Sequence, residues 1–294
     1  MKGKKLLALL LAILMMATVF VFAGCSNTNK EDTSDAQQTE EEAGDAQGEE
    51  AQDTADDTSL ADVQAKGEII LGLDDSFPPM GFRNDDNEIV GFDIDLAKAV
   101  ADKLGVTLAV QPISWDAKEM ELNSGNIDMI WNGMSYSEER DEAMNLSDPY
   151  LNNDMVFVVA NGSPIASIED VKGKTVAVQN GSTAQDILEA SDLAADITIV
   201  GFKDNMTALL DMEAQGCDAV FMDKVVANYT ISANAKDYQV LEEGLSPEVY
   251  VIGFRKGDQA LRDAVQQALH ELKEDGTVAE ISTKWFGSDV TIIE

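Results

Sequence analysis

The stretch "WNGMSYSEER", residues 131–140, combines residue types that can bind a small charged molecule. It ends on Arg140, and a guanidinium presents a planar fork of donors that matches a carboxylate. Gly133 lets a ligand approach the backbone closely, and the hydroxyl of Ser135 can donate or accept a hydrogen bond. These residue types are compatible with a turn that holds a carboxylate. Taken alone, however, they favour a solvated helix charge as the interpretation of Arg140.

Two further segments carry polar residues at places where ligands bind. The segment "QNGSTAQDIL", residues 179–188, predicts a turn that leads into a helix, and the free N–H groups at a helix start can hold a carboxylate. Ser182 and Thr183 lie at this start, where helix capping is their alternative role and is compatible with the first. Asp223 follows the apolar run "DAVFM", at the carboxyl end of a predicted strand, which is where α/β sheets bind ligands.

Short apolar runs alternate with amphipathic stretches along residues 63–294. The stretch "GFDIDLAKAVADKLG", residues 91–105, repeats apolar residues at helical spacing, with Asp93 as a cap near its start and Gly105 at its end. The run "EIILGL" before it predicts a strand, and the alternation continues to two closing helices. Two sets of βαβ units without a long linker predict an α/β protein of two lobes that enclose a cleft.

The composition excludes some classes of partner. The 294 residues include 55 acidic and 20 basic ones, so that the formal net charge is −35. Such a surface repels phosphate backbones and no basic stripe interrupts it, so we expect no nucleic-acid partner. A high net charge also disfavours self-association, and we expect a monomer. Residues 31–62 contain 13 acidic residues and no lysine, arginine or aromatic residue, which predicts a disordered tether.

The N-terminus has the layout of an export signal. Three lysines precede an apolar run from Leu6 to Phe22, and the small residues Ala23 and Gly24 lead directly to Cys25. This arrangement resembles the lipobox of bacterial lipoproteins, in which the cysteine is lipidated and becomes the new N-terminus. An uncleaved membrane anchor is the alternative. Both interpretations place the rest of the chain outside the cytoplasm, and lipidation attaches it to the outer face of the cell membrane.

The order of the motifs resembles that of one protein family. "GFDIDLAKAVADKLGV" is followed by "SWDAKEMELNSGNIDM", "GMSYSEER" and "LSDPY", as in the polar amino acid-binding proteins of ABC importers, the family 3 extracellular solute-binding proteins. The resemblance implies the type II periplasmic-binding-protein-like fold, in which a second lobe is inserted in the first through a two-strand hinge.

The N-terminal pattern, the acidic segment and the family resemblance together divide the chain. Residues 1–24 are the expected signal peptide and 25–62 the lipidated Cys25 with its tether. Residues 63–158 and 255–294 are expected to form the first lobe and residues 159–254 the second. The two crossings between the lobes are expected near residues 158–162 and 251–255.

The resemblance also implies roles for the polar residues. Arg140 would bind the carboxylate of a free amino acid, with Ser135 and the backbone around Gly133 beside it. The second lobe would add Ser182 and Thr183 to this carboxylate and Asp223 to the α-ammonium.

Selection of the ligand side chain would depend on four residues by similarity. Phe77 and Trp115 match the aromatic pair that flanks the side chain, and aromatic faces hold alkyl stems, amides and cations. Asp74 lies where relatives that bind cationic or amide side chains carry an acid, and Asn132 is a further candidate. Arginine, lysine, histidine or glutamine is therefore the expected ligand.

Other reactive residues have structural interpretations. Cys217 precedes an apolar strand and is expected to be a buried thiol, and Trp131 is expected to pack in the core. His270 has no second histidine or cysteine nearby, so neither a metal site nor a histidine-based catalytic triad is expected. No phosphate-binding loop or dinucleotide fingerprint occurs, and we expect no cofactor.

Three functions fit these patterns. The first is a lipid-anchored receptor that closes on an amino acid and delivers it to an ABC permease, without being an enzyme. The second is an enzyme on the same fold, such as a dehydratase-like protein, with Asp74 and Asp223 as acid and base. The third is the sensor half of a receptor. We favour the first because the resemblance runs from about Gly67 to Gly287, which is nearly all of the expected folded part.

Overall fold

The computed structural model describes residues 57–234 and 236–294. The expected signal peptide, Cys25 and residues 25–56 of the expected tether lie outside the described residues. Within the described part of the chain, no helix is long and apolar enough to cross a membrane.

The chain alternates between strands and helices as predicted, beginning with the elements of the first lobe. These are α1 (Ser59–Lys66), β1 (Glu68–Leu73), β2 (Ser76–Phe77), β3 (Gly81–Arg83), β4 (Ile89–Val90), α2 (Phe92–Leu104), β5 (Thr107–Pro112), α3 (Lys118–Asn123), β6 (Met129–Ser135), α4 (Glu138–Ala143) and β7 (Asn145–Leu146). A 3₁₀ turn, Trp115–Ala117, leads into α3. The predicted strand "EIILGL" and the predicted helix over residues 91–105 are confirmed.

The following elements build the second lobe and return to the first. They are β8 (Leu151–Ala160), β9 (Thr175–Gln179), α5 (Thr183–Ala190), β10 (Thr198–Phe202), α6 (Asn205–Glu213), β11 (Ala219–Asp223), α7 (Lys224–Asn234), β12 (Tyr238–Phe254), α8 (Gln259–Glu274) and α9 (Thr277–Phe286). The closing helices α8 and α9 pack against α2, so the end of the chain rejoins the first lobe.

One twisted sheet runs through both lobes of the described chain, in the order β10-β9-β11-β8-β12-β6-β1-β5. The strands β1, β5 and β6 pair in parallel in the first lobe, and β9, β10 and β11 pair in parallel in the second. The antiparallel pair β8 and β12 lies between these two sets. The carboxyl ends of β6, β9 and β11 carry Ser135, Gln179 and Asp223, which all line one cavity.

The expected positions of the two crossings are wrong by several residues. In β8, the segment Met155–Val158 already pairs with β11 of the second lobe. In β12, Tyr250–Gly253 already pairs with β6 of the first lobe. Between these segments β8 and β12 pair only with each other, so the lobes join at residues 152–154 and 247–249. The polar segment "LNND", residues 151–154, hid this part of the strand from an analysis of apolar runs.

The expected end of the tether, at residue 62, is also wrong, because α1 starts at Ser59. The carboxylate of Asp57 accepts a hydrogen bond from the N–H of Ala260, and Ser59 Oγ accepts one from the N–H of Leu261 at 3.0 Å. These contacts satisfy two free N–H groups at the start of α8. The acidic composition of this segment concealed a helix that packs against α8.

Two structural interpretations from the sequence, those of Trp131 and Cys217, are confirmed. Trp131 is fully buried and its ring meets that of Tyr150 edge to face at 6.1 Å. Cys217 is a buried free thiol, and burial raises its pKa to about 12. The side chain of His270 contacts Gln266, and no cluster of histidine, cysteine and acidic residues in residues 57–234 and 236–294 is arranged to hold a metal.

Candidate functional site

A cavity lies between the two lobes. Nine of the ten expected ligand-binding residues line it, and Asp74 is the exception. Met155 and Gln179 line it as well. The complete lining consists of Phe77, Trp115, Asn132, Gly133, Ser135, Arg140, Met155, Gln179, Ser182, Thr183 and Asp223.

Arg140 is a buried cation whose hydrogen bonds go to neutral groups. Only 5% of the residue is exposed, and burial lowers the pKa of its guanidinium. Its Nη1 donates to the carbonyl of Ser135 at 2.7 Å and its Nη2 to the carbonyl of Gly181 at 3.4 Å. None of the ion pairs within the described residues includes Arg140. A buried charge without a counter-ion is costly, so the site is suited to an anion.

The stretch before Arg140 is not the predicted turn. Residues 131–135 continue strand β6, and every residue of this strand is buried. Gly133 breaks the regular strand conformation with a φ of +55°, and a Cβ there would lie 2.9 Å from Cε1 of Phe77. Glycine is therefore required by both conformation and space.

The N–H of Gly133 is also unavailable to a ligand, which corrects one expected role. It donates to the carboxylate of Asp93 at 2.7 Å, and the hydroxyl of Tyr150 donates to the same oxygen at 3.0 Å. Asp93 was expected to cap α2, but Gly91 is the N-cap and makes no side-chain cap. Burial instead raises the pKa of Asp93 to about 8. Its carboxyl group holds the backbone of the site at Gly133.

Asp223 supplies the acidic group of the cavity. Its Oδ1 accepts hydrogen bonds from Nδ2 of Asn153 at 2.9 Å and from the hydroxyl of Tyr250 at 2.8 Å. Burial raises the pKa of this carboxyl to about 6, so it is mostly ionised at pH 7. An ionised acid and Arg140 in one cavity complement the two charges of an amino acid.

Ser182 caps helix α5, as the alternative interpretation proposed. Its Oγ accepts from the N–H of Gln185 at 3.2 Å and donates to the carbonyl of Gln179 at 2.8 Å. Thr183 is the first residue of α5 and lines the cavity. The start of this helix thus faces the same space as Arg140, and its positive end favours an anion there.

Asp74 lies next to the cavity without lining it. Its Oδ1 accepts from the N–H of Ser76 at 2.9 Å, and its Oδ2 accepts from Nε2 of Gln179 at 2.8 Å. Burial raises the pKa of Asp74 to about 6. Gln179 belongs to the second lobe, so this hydrogen bond joins the lobes and covers the acid. Gln179 is the last residue of an apolar strand, as Asp223 is. The same sequence signal could therefore have identified Gln179.

Two other residues near the site were not found by sequence analysis. Glu248 accepts a hydrogen bond from Ser135 Oγ at 2.6 Å, and burial raises its pKa to about 7. Lys118 is 5% exposed and donates from Nζ to the carbonyl of Gly181 at 3.0 Å. Burial lowers the pKa of Lys118 to about 8. Neither residue has a local sequence signal, because Glu248 lies in a joining strand and Lys118 in a charged helix.

The lobes meet closely at Gly181. A Cβ on this residue would lie 2.8 Å from Cα of Asp116 in the first lobe, and its φ is +67°. Only glycine allows this approach in this conformation. The contact joins the lobes next to Trp115 and Ser182, which line the cavity.

Comparison with known proteins agrees with this architecture. The model of the bacterial extracellular solute-binding proteins, family 3, matches residues 69–288. The L-cystine-binding protein TcyJ of Escherichia coli (strain K12) is 31% identical over 239 residues, which cover 81% of this chain and 89% of that protein. The L-cystine-binding protein TcyA of Bacillus subtilis (strain 168) is 30% identical over 287 residues, which cover 96% of this chain and 98% of that protein.

A solved structure confirms the expected fold class. An ABC uptake transporter substrate-binding protein from Streptococcus pneumoniae, solved with bound histidine, superposes with a TM-score of 0.79 at 39% identity. The match covers 81% of this chain and all of that one. The two-lobed α/β fold of periplasmic binding proteins is thus confirmed.

Proposed function

This chain belongs to the bacterial extracellular solute-binding proteins of family 3, and we propose that it captures a free polar amino acid outside the cytoplasm and delivers it to an ABC permease. The proposal names amino acids with a cationic or amide side chain, such as arginine, lysine, histidine or glutamine. The relatives described above are named as binding proteins, two for L-cystine and one solved with histidine.

The buried guanidinium of Arg140 carries this proposal. It lies in one cavity with the acid of Asp223, and its hydrogen bonds go to the neutral carbonyls of Ser135 and Gly181. A ligand carboxylate would provide the missing counter-ion, and an α-ammonium would pair with Asp223. Because the cavity is built from both lobes, a zwitterion bound there favours the closed state.

The surroundings of Asp74 support binding over the enzyme alternative. A general acid or base must reach the proton that it transfers, but Asp74 is not among the residues that line the cavity, and Gln179 covers one of its oxygens. We therefore take the site as one that binds without chemical conversion. Incubation of the purified protein with each amino acid, followed by mass spectrometry, would reveal a product if this is incorrect.

Thermal shift measurements across the twenty amino acids and L-cystine test the proposed ligand class. A ligand at 100 times its Kd stabilises the folded state by about 2.7 kcal/mol. We expect a rise in Tm with at least one of arginine, lysine, histidine and glutamine. If none of the twenty-one compounds raises the Tm, the proposal is wrong.

The membrane attachment is a separate part of the proposal. Cys25 would carry a lipid that anchors the protein to the outer face of the cell membrane through the acidic tether, and the folded part would act as a monomer. Mass spectrometry of the mature protein would show the lipid, and Cys25→Ser would release the protein into the medium. Membrane retention of the Cys25→Ser protein would instead indicate an uncleaved anchor.

A further inference from the structure

The amide of Asn132 has a fixed orientation in the cavity wall. Its Oδ1 accepts a hydrogen bond from the N–H of Asp74 at 3.0 Å. A reversed amide would place two donors against each other, so the oxygen must face Asp74. The Nδ2 of Asn132 is then a donor that is fully buried and lacks a partner among the described residues. The residue as a whole is 2% exposed and lines the cavity.

The orientation of Gln179 is fixed in the same way. Its Nε2 donates to Oδ2 of Asp74 at 2.8 Å and to the carbonyl of Lys203 at 3.3 Å. Its Oε1 accepts from Nδ2 of Asn205 at 3.5 Å. If the amide were reversed, its oxygen would face two acceptors. Gln179 therefore stands between the cavity and Asp74 with its donors already used.

The polar groups at this end of the cavity match one kind of ligand side chain. The acid that would attract a cation is covered by Gln179, while the unpaired group is the donor of Asn132. An ammonium or a guanidinium carries donors only and cannot satisfy that donor. An amide carbonyl or a neutral imidazole nitrogen accepts a hydrogen bond and can satisfy it. A buried donor left without an acceptor weakens binding.

We propose that Asn132 selects amino acids whose neutral side chain carries a hydrogen-bond acceptor, an amide or an imidazole, over those that end in an ammonium or a guanidinium. Gln179 enforces this choice because it keeps Asp74 out of the cavity. The inference rests on the proposed function and narrows its ligand class from four amino acids to glutamine and histidine. The flanking rings of Phe77 and Trp115 tolerate either side chain.

Calorimetry with the purified protein at pH 7.5 tests the wild-type preference, since free imidazole is mostly neutral at this pH. We expect glutamine or histidine to bind at least tenfold more tightly than arginine and lysine. Tighter binding of arginine or lysine overturns the inference and leaves the proposed function intact. If no amino acid binds, the proposed function fails and the inference fails with it.

Asn132→Asp tests the residue itself. The variant keeps an oxygen for the N–H of Asp74 but replaces the donor by an acceptor. We expect the affinity ratio of glutamine to arginine to fall at least tenfold, by loss of glutamine binding and gain of arginine binding. Asn228→Asp is the matched control, because it adds the same charge at an exposed position of α7 and should leave the ratio unchanged. An unchanged ratio in folded Asn132→Asp protein contradicts the inference.

Gln179→Met provides a second test that leaves Asn132 intact. Loss of the covering amide exposes Asp74 to the cavity, so arginine and lysine should bind more tightly relative to glutamine by at least tenfold. Circular dichroism and the unfolding temperature establish that each variant is folded. A variant that folds and keeps the wild-type order of affinities shows that Asp74 is not screened by Gln179.

Discussion

Lys118 and Arg140, both in the first lobe, donate hydrogen bonds to a single acceptor in the second lobe, the carbonyl oxygen of Gly181. Lys118 Nζ lies 3.0 Å from this oxygen and Arg140 Nη2 lies 3.4 Å from it. Two cations at one carbonyl join the lobes at the edge of the cavity. Arg140 lines the cavity and has donors left for a ligand, whereas Lys118 does not line it.

Lys118→Met should weaken amino acid binding by about tenfold, because loss of one charge-assisted hydrogen bond between the lobes removes about 1.4 kcal/mol from the closed state. The change should appear as faster ligand dissociation with little effect on association. Stopped-flow fluorescence measures both rates. Lys98→Met, at an exposed position of α2, is the control. An unchanged dissociation rate would show that the contact does not hold the closed state.

Arg140→Ala should weaken binding by about two to three orders of magnitude. The ligand carboxylate would lose a buried partner, which costs about 3–5 kcal/mol, and each 1.4 kcal/mol is about tenfold in affinity. Isothermal titration calorimetry gives the affinity. Arg83→Ala removes an exposed arginine that pairs with Asp75 and should have little effect. Nearly unchanged affinity in Arg140→Ala would refute the carboxylate assignment.

Binding should weaken as the pH falls below about 6, the pKa to which burial raises Asp223. A protonated carboxyl no longer attracts an ammonium, so the affinity should decrease by up to about tenfold per pH unit below that pKa. Asp74 titrates in the same range and Glu248, beside Ser135, near pH 7, so the comparison with Asp223→Asn is decisive. That variant should bind weakly and lose most of the slope. A slope of wild-type size in Asp223→Asn would assign the effect to another group.

Glu248→Gln should stabilise the protein at alkaline pH. Burial raises the pKa of Glu248 from 4.5 to about 7, so the folded state holds its proton more tightly than the unfolded chain does. Stability is therefore lost as the pH rises from about 4.5 through 7. The neutral amide avoids this loss, and a gain of about 1 kcal/mol raises the Tm by about 2–4 °C.

Scanning calorimetry of the Glu248 variant at pH 5 and pH 8 separates charge from packing. The Tm difference from wild type should be small at pH 5 and larger at pH 8. Glu242→Gln, at an exposed position of the same strand, is the control. An equal gain at both pH values would mean that the substitution acts through packing.

The sequence predicts most of the secondary structure because its apolar periodicity is strong. The family resemblance implies nine of the residues that line the cavity. The strand end at Asp223 and the helix start at Ser182 favour two of them independently of that resemblance. Contacts made only by tertiary folding remain beyond such reasoning. Glu248 lies 113 positions from Ser135, and Asp93 lies 40 positions from the Gly133 N–H that it accepts. Asp93 resembled a helix cap because it lies at the start of α2. Its actual partner, the N–H of Gly133, is distant in the sequence.

The pairing of β8 with β12 constrains how the cleft can open. Both strands pass from one lobe to the other without a break, and the ladder of β12 shifts register near Gly244 and again between Val251 and Gly253. Separation of the lobes must twist a hydrogen-bonded ribbon, since no slack linker is present at this junction to swing freely. The paired strands resist twisting, and their bulges are the positions at which the strands bend. The ribbon thus limits the directions in which the two lobes can separate.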